Sequence, residues 1–346
     1  MKRNAFIDNA KVLFIFLVVF GHMIQPFTFD SGKVNTLYLW IYTFHMPAFI
    51  MVSGFFAKGS SDKGYIWNLI RKLLVPYIIF QGIYTLFYYS VGNEGWKTEP
   101  FEPHWSLWFL LSLFCWHLLL IVYKKWPAKI GIPLSVAIGL VVGFFNEIGH
   151  TFSLSRTLVF FPFFLIGFHL TQKQLLLVKR PVAKVASVFV MIAVAVFLYY
   201  IPNIDSGWFL QSKPYAELGA GEYNAAIRLV VYITAAFMTA SILAWVPERN
   251  LNWVTELGKR TLFVYLLHGF FIQIFRHYEL FQLNTFIHFI GIVILSALIV
   301  IVLSSKPIMA ITQPIIEGKA TLLKQWVEQK RKRPFSDVRT GLSRRR

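Results

Sequence analysis

In a strongly apolar chain, the side chains able to do chemistry stand at a few points, and their spacing groups them. The opening stretch MKRNAFIDNAKVLFIFLVVFGHMIQPF carries Asp8, Lys11 and His22. At 3.6 residues per turn Lys11 and His22 fall on one helix face with Asp8, and eleven residues at about 1.5 Å each separate them by roughly 16 Å. One polar stripe therefore marks two levels, a charged cluster and, well beyond it, an imidazole. FHMPAFIMVSGFF places His45 just before Pro47, and TLFVYLLHGFF sets Tyr265 and His268 three residues apart on one face. EPHWSLWFLL gathers Glu102, His104, Trp105 and Trp108, while Arg71 and Lys72 precede LLVPYIIF. Imidazole is the side chain best suited to moving a proton near neutral pH. Two of them on adjacent helices suggest a shared cavity for proton transfer. Two histidines without a nearby carboxylate or thiolate make a poor metal site, so no metal is expected.

Plainer roles stay open for the same residues. Asp8 and Lys11 could form a surface ion pair in the first helical turn, and His22, followed by Gln25 and Pro26, could sit at the water boundary. Glu102, His104 and the tryptophans fit an aromatic belt at a membrane interface. Arg71 and Lys72 fit either charge anchors or a docking site for a phosphorylated donor. Pro47 frees a backbone carbonyl and permits a kink, tolerated where protein or water satisfies the group. Ser53 and Gly54 are small enough to let another helix approach closely.

The elements that must position these residues follow from the solvent. Of 346 residues, 56% are hydrophobic and 14% charged, with mean hydropathy +0.57; a soluble domain carries about a quarter charged residues. The chain reads as an integral membrane protein. Ten apolar runs are long enough to cross a bilayer: 10–28, 36–57, 73–91, 105–123, 130–147, 156–170, 184–201, 226–246, 260–277 and 286–304. The fifth and sixth are interrupted by Pro133 and Pro162. With the N-terminus inside, 28 of the 34 Lys and Arg fall on the inner side, leaving Lys33, Lys97, Arg156, Lys213, Arg228 and Arg276 outside. That asymmetry satisfies the positive-inside rule, so the net charge of +18 reports topology rather than nucleic-acid binding. The fold expected is all-α and polytopic, with about ten transmembrane helices and both termini cytoplasmic. Residues 1–305 form the membrane domain and 306–346 a basic cytoplasmic tail, near anionic lipid. The single Cys115 excludes an intramolecular disulfide. No small-residue cleavage site follows the first run, which is read as a retained helix, and no internal repeat is evident. Gly139 and Gly143 form a G-x-x-x-G pair able to pack helices within one chain or between two.

Taken in order, IDNAKVLFIFLVVFGH, FHMPAFIMVSGF, HWSLWFLL, FFPFFLIGF and LFVYLLHGFF resemble the family-3 membrane acyltransferases over roughly residues 5–305, in the branch with biofilm-polysaccharide modifying proteins. The resemblance implies a multi-pass enzyme of the bacterial plasma membrane that moves an acyl group, usually acetyl, from cytoplasmic acyl-CoA to a hydroxyl of an extracellular carbohydrate. Acyl-CoA, with acetyl-CoA the expected form, is then a donor substrate; no bound cofactor is expected. The family's basic residue and essential histidine fall on Lys11 and His22, although Lys replaces the usual Arg and loses its planar fork. The family's R-x-x-R before the third helix is not matched, and only a basic patch, Arg71 and Lys72, carries over. In the implied mechanism Lys11, Arg71 and Lys72 meet the donor phosphates, His22 is general base and His45 orients it or relays its proton. Asp8, Glu102, His104, Tyr265 and His268 support the site, with Tyr265 or a histidine as an acyl carrier in a covalent route. Many relatives carry an extracellular esterase-like domain; with none in this sequence, the membrane domain is expected to complete the transfer alone.

A polysaccharide exporter using the same polar cavity is the rival reading. Against it stand the lack of duplicated halves and the placement of acidic residues at segment edges rather than within the membrane. The acceptor, the acyl group, the choice between direct and covalent transfer, and the oligomeric state are not legible in the sequence.

Overall fold

The computed structural model describes residues 4–59, 64–92, 102–148, 151–201, 204–219, 221–319 and 321–325. Every regular element among them is helical. The main helices are α1 (Ala5–Ile24), α2 (Gly32–Tyr42), α3 (His45–Phe56), α4 (Tyr65–Val91), α5 (Trp108–Tyr123), α6 (Ala128–Val141), α7 (Leu154–His169), α8 (Pro181–Tyr200), α9 (Asn224–Trp245), α10 (Thr261–His277), α11 (Phe286–Leu303) and α12 (Lys306–Glu317). Each of the ten apolar runs coincides with one of these helices or, for 36–57, with the α2–α3 pair. Among the described residues six helical stretches are long and apolar enough to cross a membrane, and α7 meets the same measure only together with its continuation to Lys179, from which it is bent by 111°. The protein is therefore a polytopic membrane protein.

Local chemistry sets the ends and breaks. Asn4 caps α1, its side chain accepting from Phe6 N at 3.0 Å, and Pro26 follows the last turn, where it cannot extend the α-helical ladder. The second apolar run breaks at Thr43–Phe44, before the proline rather than at it. Pro47 then sits in the first turn of α3, where its missing N–H leaves nothing unpaired. The prolines of α6 and α7 do not stop those helices. In α4, Pro76 offers no N–H to Lys72 four residues back, and Ile70–Leu74 widens into one π-helical turn.

Close packing is organised by small residues. A Cβ on Gly54 of α3 would collide with the Phe164 carbonyl of α7, and one on Gly167 of α7 with the Met51 carbonyl of α3. The two backbones thus touch through reciprocal glycines. Gly139 and Gly143 make room for Tyr232 and Arg228 of α9 and for Tyr215, so this glycine pair is used within the chain. α1 packs against α2, α3, α10 and α11. Its Asn9 is buried and fully bonded: Nδ2 donates to Pro247 O (2.9 Å) and Arg249 O (3.0 Å), and Oδ1 accepts from Thr255 Oγ1 (2.7 Å). Residues 306–317, which the sequence places in the tail, form α12, which packs on α4, α10 and α11 with Ala310, Gln313 and Ile316 buried.

Candidate active site

His22 occupies the last turn of α1, half-buried. The glycine before it is needed for what lies beside it: a Cβ on Gly21 would stand 3.0 Å from the Tyr42 ring. That clearance lets Tyr42, at the end of α2, bring its Oη to 3.3 Å from His22 Nδ1. The Tyr42 ring also meets His45 at 4.4 Å between centroids, inclined by 64°. Tyr42 therefore contacts both histidines that the sequence places on adjacent helices.

The break between α2 and α3 also fixes the state of His45. Its Nδ1 lies 3.0 Å from Ile41 O, four residues back. A carbonyl only accepts, so Nδ1 carries the proton and Nε2 presents its lone pair. His268, buried in the middle of α10, has the same arrangement, Nδ1 donating to Tyr265 O (2.7 Å) and Val264 O (3.1 Å). Its Nε2 is buried with no partner in the protein. The His268 ring lies 5.8 Å from His22 at an interplanar angle of 27°.

Trp105 completes the wall, its ring 4.3 Å from His22 and 5.5 Å from His268. Its backbone has φ of +34°, a left-handed conformation that costs a non-glycine residue of order 1–3 kcal/mol and persists only where neighbours over-determine it. Here they do. Gln81 Nε2 donates to Glu102 O (2.6 Å), His104 N donates to Gln81 Oε1 (3.0 Å), and His104 Nε2 pairs with Thr85 Oγ1 at 2.7 Å. On the other side Tyr265 Oη donates to Ser106 O. Gly269 leaves space for Tyr84 and the Trp105 ring, which a Cβ would meet at 3.0 Å.

Arg276, eight residues after His268 on α10, clamps the same end of α1. Its Nη2 donates to His22 O (2.8 Å) and to Gln25 Oε1 (2.7 Å), and its guanidinium lies 5.4 Å from the Trp105 ring centre. A cation at a helix C-terminus is favourable in itself. His22 and Arg276 open onto a cavity of about 440 Å³ whose lining also includes Asp30, Glu279 and Gln282.

The structure thus gathers His22, His268 and, through Tyr42, His45. It places Tyr265 beside them, 6.2 Å ring to ring from His268, with its hydroxyl engaged by Ser106. Glu102 and His104 hold Trp105 from behind, through α4. Lys11, Asp8, Arg71 and Lys72 are not part of this cluster. Lys11 pairs with Asp8 at 2.8 Å, and its Nζ lies 5.3 Å from the Phe56 ring. Arg71 and Lys72 are exposed on the π-helical turn, ten residues or about 15 Å of helix from Gln81. Among the described residues no three His, Cys, Asp or Glu side chains are gathered as a metal site. Sequence reasoning missed Tyr42 and Arg276 as site residues. The three-residue spacing of Tyr42 and His45 was a usable signal; Arg276 was legible only as a charge outside the membrane.

These features define a polytopic helical membrane protein in which His22, backed by a cluster of aromatic and imidazole rings, opens onto a pocket. Residues 4–305 match the family model described as an acyltransferase domain, and the chain belongs to that family, acyltransferase family 3. It is an acyltransferase. Among curated relatives it is 25% identical over 188 residues to nodulation protein NolL of Sinorhizobium fredii, covering 49% of this chain and 50% of that protein. It is 24% identical over 308 residues to nodulation protein NolL of Mesorhizobium japonicum, covering 81% of this chain and 79% of that protein. The first match thus spans about half of the relative's length. No solved structure matches.

Proposed function

We propose that this acyltransferase moves an acyl group, acetyl by preference, from cytoplasmic acyl-CoA to a hydroxyl of a carbohydrate on the far side of the plasma membrane. The observation that carries the reading is His22, held at its backbone by Arg276 and standing open to a 440 Å³ cavity. Asp30, Glu279, Gln282 and Arg276 on the cavity wall suit a ligand rich in hydroxyl groups, because each offers a charged or neutral hydrogen-bonding group. The charge asymmetry of the sequence supports a topology with the Lys11 end of α1 at the cytoplasm and the His22 end outside.

In the reaction the acceptor oxygen attacks the thioester carbonyl carbon while His22 takes the hydroxyl proton. The tetrahedral intermediate then collapses, the C–S bond breaks, and the coenzyme A sulfur leaves as a thiol after receiving that proton. Tyr42 steadies the His22 ring and connects it to His45. The Tyr265 hydroxyl, committed to Ser106 O, is a poor acyl carrier in this arrangement, which favours direct transfer. Lys11, Arg71 and Lys72 meet the phosphates of the donor, and the roughly 16 Å from Lys11 to His22 suits its long pantetheine arm. Lys11 then exchanges part of its Asp8 contact for phosphate.

The test is mass spectrometry of surface glycans from cells making the wild-type chain, His22→Ala or no protein. A base-labile acyl increment present only with wild type, at constant glycan amount, is expected. The rate should fall by about 10²- to 10⁴-fold in His22→Ala, as for loss of a general base. A change in glycan amount without a change in acylation would refute the reading and favour export.

A further inference from the structure

A second cavity, of about 500 Å³, lies on the other side of the turn that follows His22. Residues 25–30 form the partition: Pro26, Phe27 and Asp30 line the His22 cavity, while Gln25, Thr28 and Phe29 line the second. The second cavity is also lined by Asn35 and Tyr38 of α2 and by the Lys213–Asp205 ion pair (3.1 Å) from the loop before α9. Gln25 belongs to this cavity, yet its Oε1 is held by Arg276 of the first. One guanidinium therefore joins the walls of both.

Three features point to its occupant. Both cavities fall within the ~300–1,000 Å³ range of ligand sites, and they stand side by side along one turn. Tyr38, only 2% exposed, lines the cavity with its ring 4.0 Å from that of Tyr42, and its hydroxyl, beside Tyr42, makes no well-formed hydrogen bond with the protein, so it has bonding capacity to spare. Phe29 on the rim is 95% exposed, a free aromatic face beside a wall of amide, hydroxyl and charged groups. An aromatic face next to such groups fits the apolar face and equatorial hydroxyls of a pyranose ring.

We propose that the second cavity binds a neighbouring sugar residue of the same acceptor, so that the enzyme acts on an oligosaccharide chain rather than on a lone sugar. The proposal rests on the carbohydrate-acceptor reading above. In it, Asn35 and Gln25 receive hydroxyls of the second ring, Tyr38 supports the wall, Phe29 covers the ring's apolar face, and the hydroxyl to be acylated lies on a ring in the His22 cavity.

The experiment uses membranes containing the full-length protein, acetyl-CoA as donor, and fragments of one to six residues made by mild acid cleavage of the de-acylated surface glycan. Initial rates are measured for wild type, Asn35→Ala, Asn35→Gln and Phe29→Ala, with thermal midpoints as a check on folding. In wild type, kcat/KM should rise at least tenfold between one- and four-residue fragments, chiefly through KM. Asn35→Ala and Phe29→Ala should each erase most of that rise, with partial recovery in Asn35→Gln. A wild-type rate independent of fragment length, or an undiminished rise in folded variants, overturns the second subsite while leaving the acceptor reading intact. Failure of wild type to acylate any fragment overturns the acceptor reading, and the subsite with it.

Discussion

Replacing Arg276 by lysine asks whether the site depends on a clamp or only on a positive charge. Arg276 Nη2 makes two charge-assisted contacts, 2.8 Å to His22 O and 2.7 Å to Gln25 Oε1, and the guanidinium carbon lies 5.4 Å from the Trp105 ring centre. An ammonium on a shorter stem keeps the charge but loses the reach and the fixed planar geometry of the guanidinium, and it is expected to keep one of the two contacts. Hydrogen bonds to a charged group contribute about 1.5–3 kcal/mol each. If the loss falls on the positioning of His22, kcat drops about 10- to 150-fold at ~1.4 kcal/mol per decade. The drop should appear in kcat, with any change in KM confined to the acceptor, because the contact orients the base, Arg276 also lines the acceptor cavity, and neither touches the donor. Initial rates of acyl transfer in proteoliposomes, with acetyl-CoA and acceptor varied separately, measure it. Arg276→Met, which removes the charge as well, should lose more. Rates for Arg276→Lys within twofold of wild type would refute the clamp, as would an Arg276→Met enzyme no slower than Arg276→Lys.

Two further perturbations test the frame and the donor end. Gly54→Ala and Gly167→Ala each drive a Cβ into a facing backbone carbonyl, so both should lower thermal stability by about 1–3 kcal/mol. Gly82→Ala, whose Cβ would meet nothing within 4 Å, should be neutral or stabilising by up to ~1 kcal/mol; equal midpoints for all three in detergent would contradict the reciprocal contact. Arg71→Ala and Lys72→Ala, at exposed positions, should each raise KM for acetyl-CoA by about two- to fivefold, less so at high salt. The same increase with acetyl-pantetheine, which lacks the 3′- and pyrophosphate groups, would show that these side chains do not meet phosphate.

The helices were legible because lipid leaves little choice: a backbone in hydrocarbon must satisfy itself, so every long apolar run becomes helix. Where the sequence misleads, a tertiary contact decides. Pro47 signals a break, but the break falls at Thr43–Phe44, where the His45 imidazole caps the Ile41 carbonyl and Pro47 fits an ordinary first turn. Arg276 counts in the sequence as an outer-side charge, and only the fold shows it closing on the His22 carbonyl 254 residues earlier in the chain. Asn9 lies between Asp8 and Lys11, the two charged residues to which the sequence draws attention. Its partners come from residues 247–255, which no spacing within α1 could reveal.

Trp105 carries this dependence on distant residues furthest. Its ring contacts both His22 and His268, yet its position is set by Gln81 and Thr85 on α4 and by Tyr265 on α10. A left-handed tryptophan is unfavourable alone, and an isolated EPHWSL segment would relax it. The bonds on either side, through Glu102, His104 and Ser106, hold the backbone in the conformation that delivers the indole to the imidazoles. On the proposed function, Glu102, through its backbone carbonyl, and His104, through its N–H and ring, fit the part of positioning residues, acting through the segment they pin, rather than only an interfacial belt. It also explains why the site can stand at the end of α1, where a helix terminus would otherwise fray. Arg276 grips the terminus from one side and the strained tryptophan packs against it from the other, so the catalytic candidate is fixed by two neighbours that the apolar pattern of α1 does not encode.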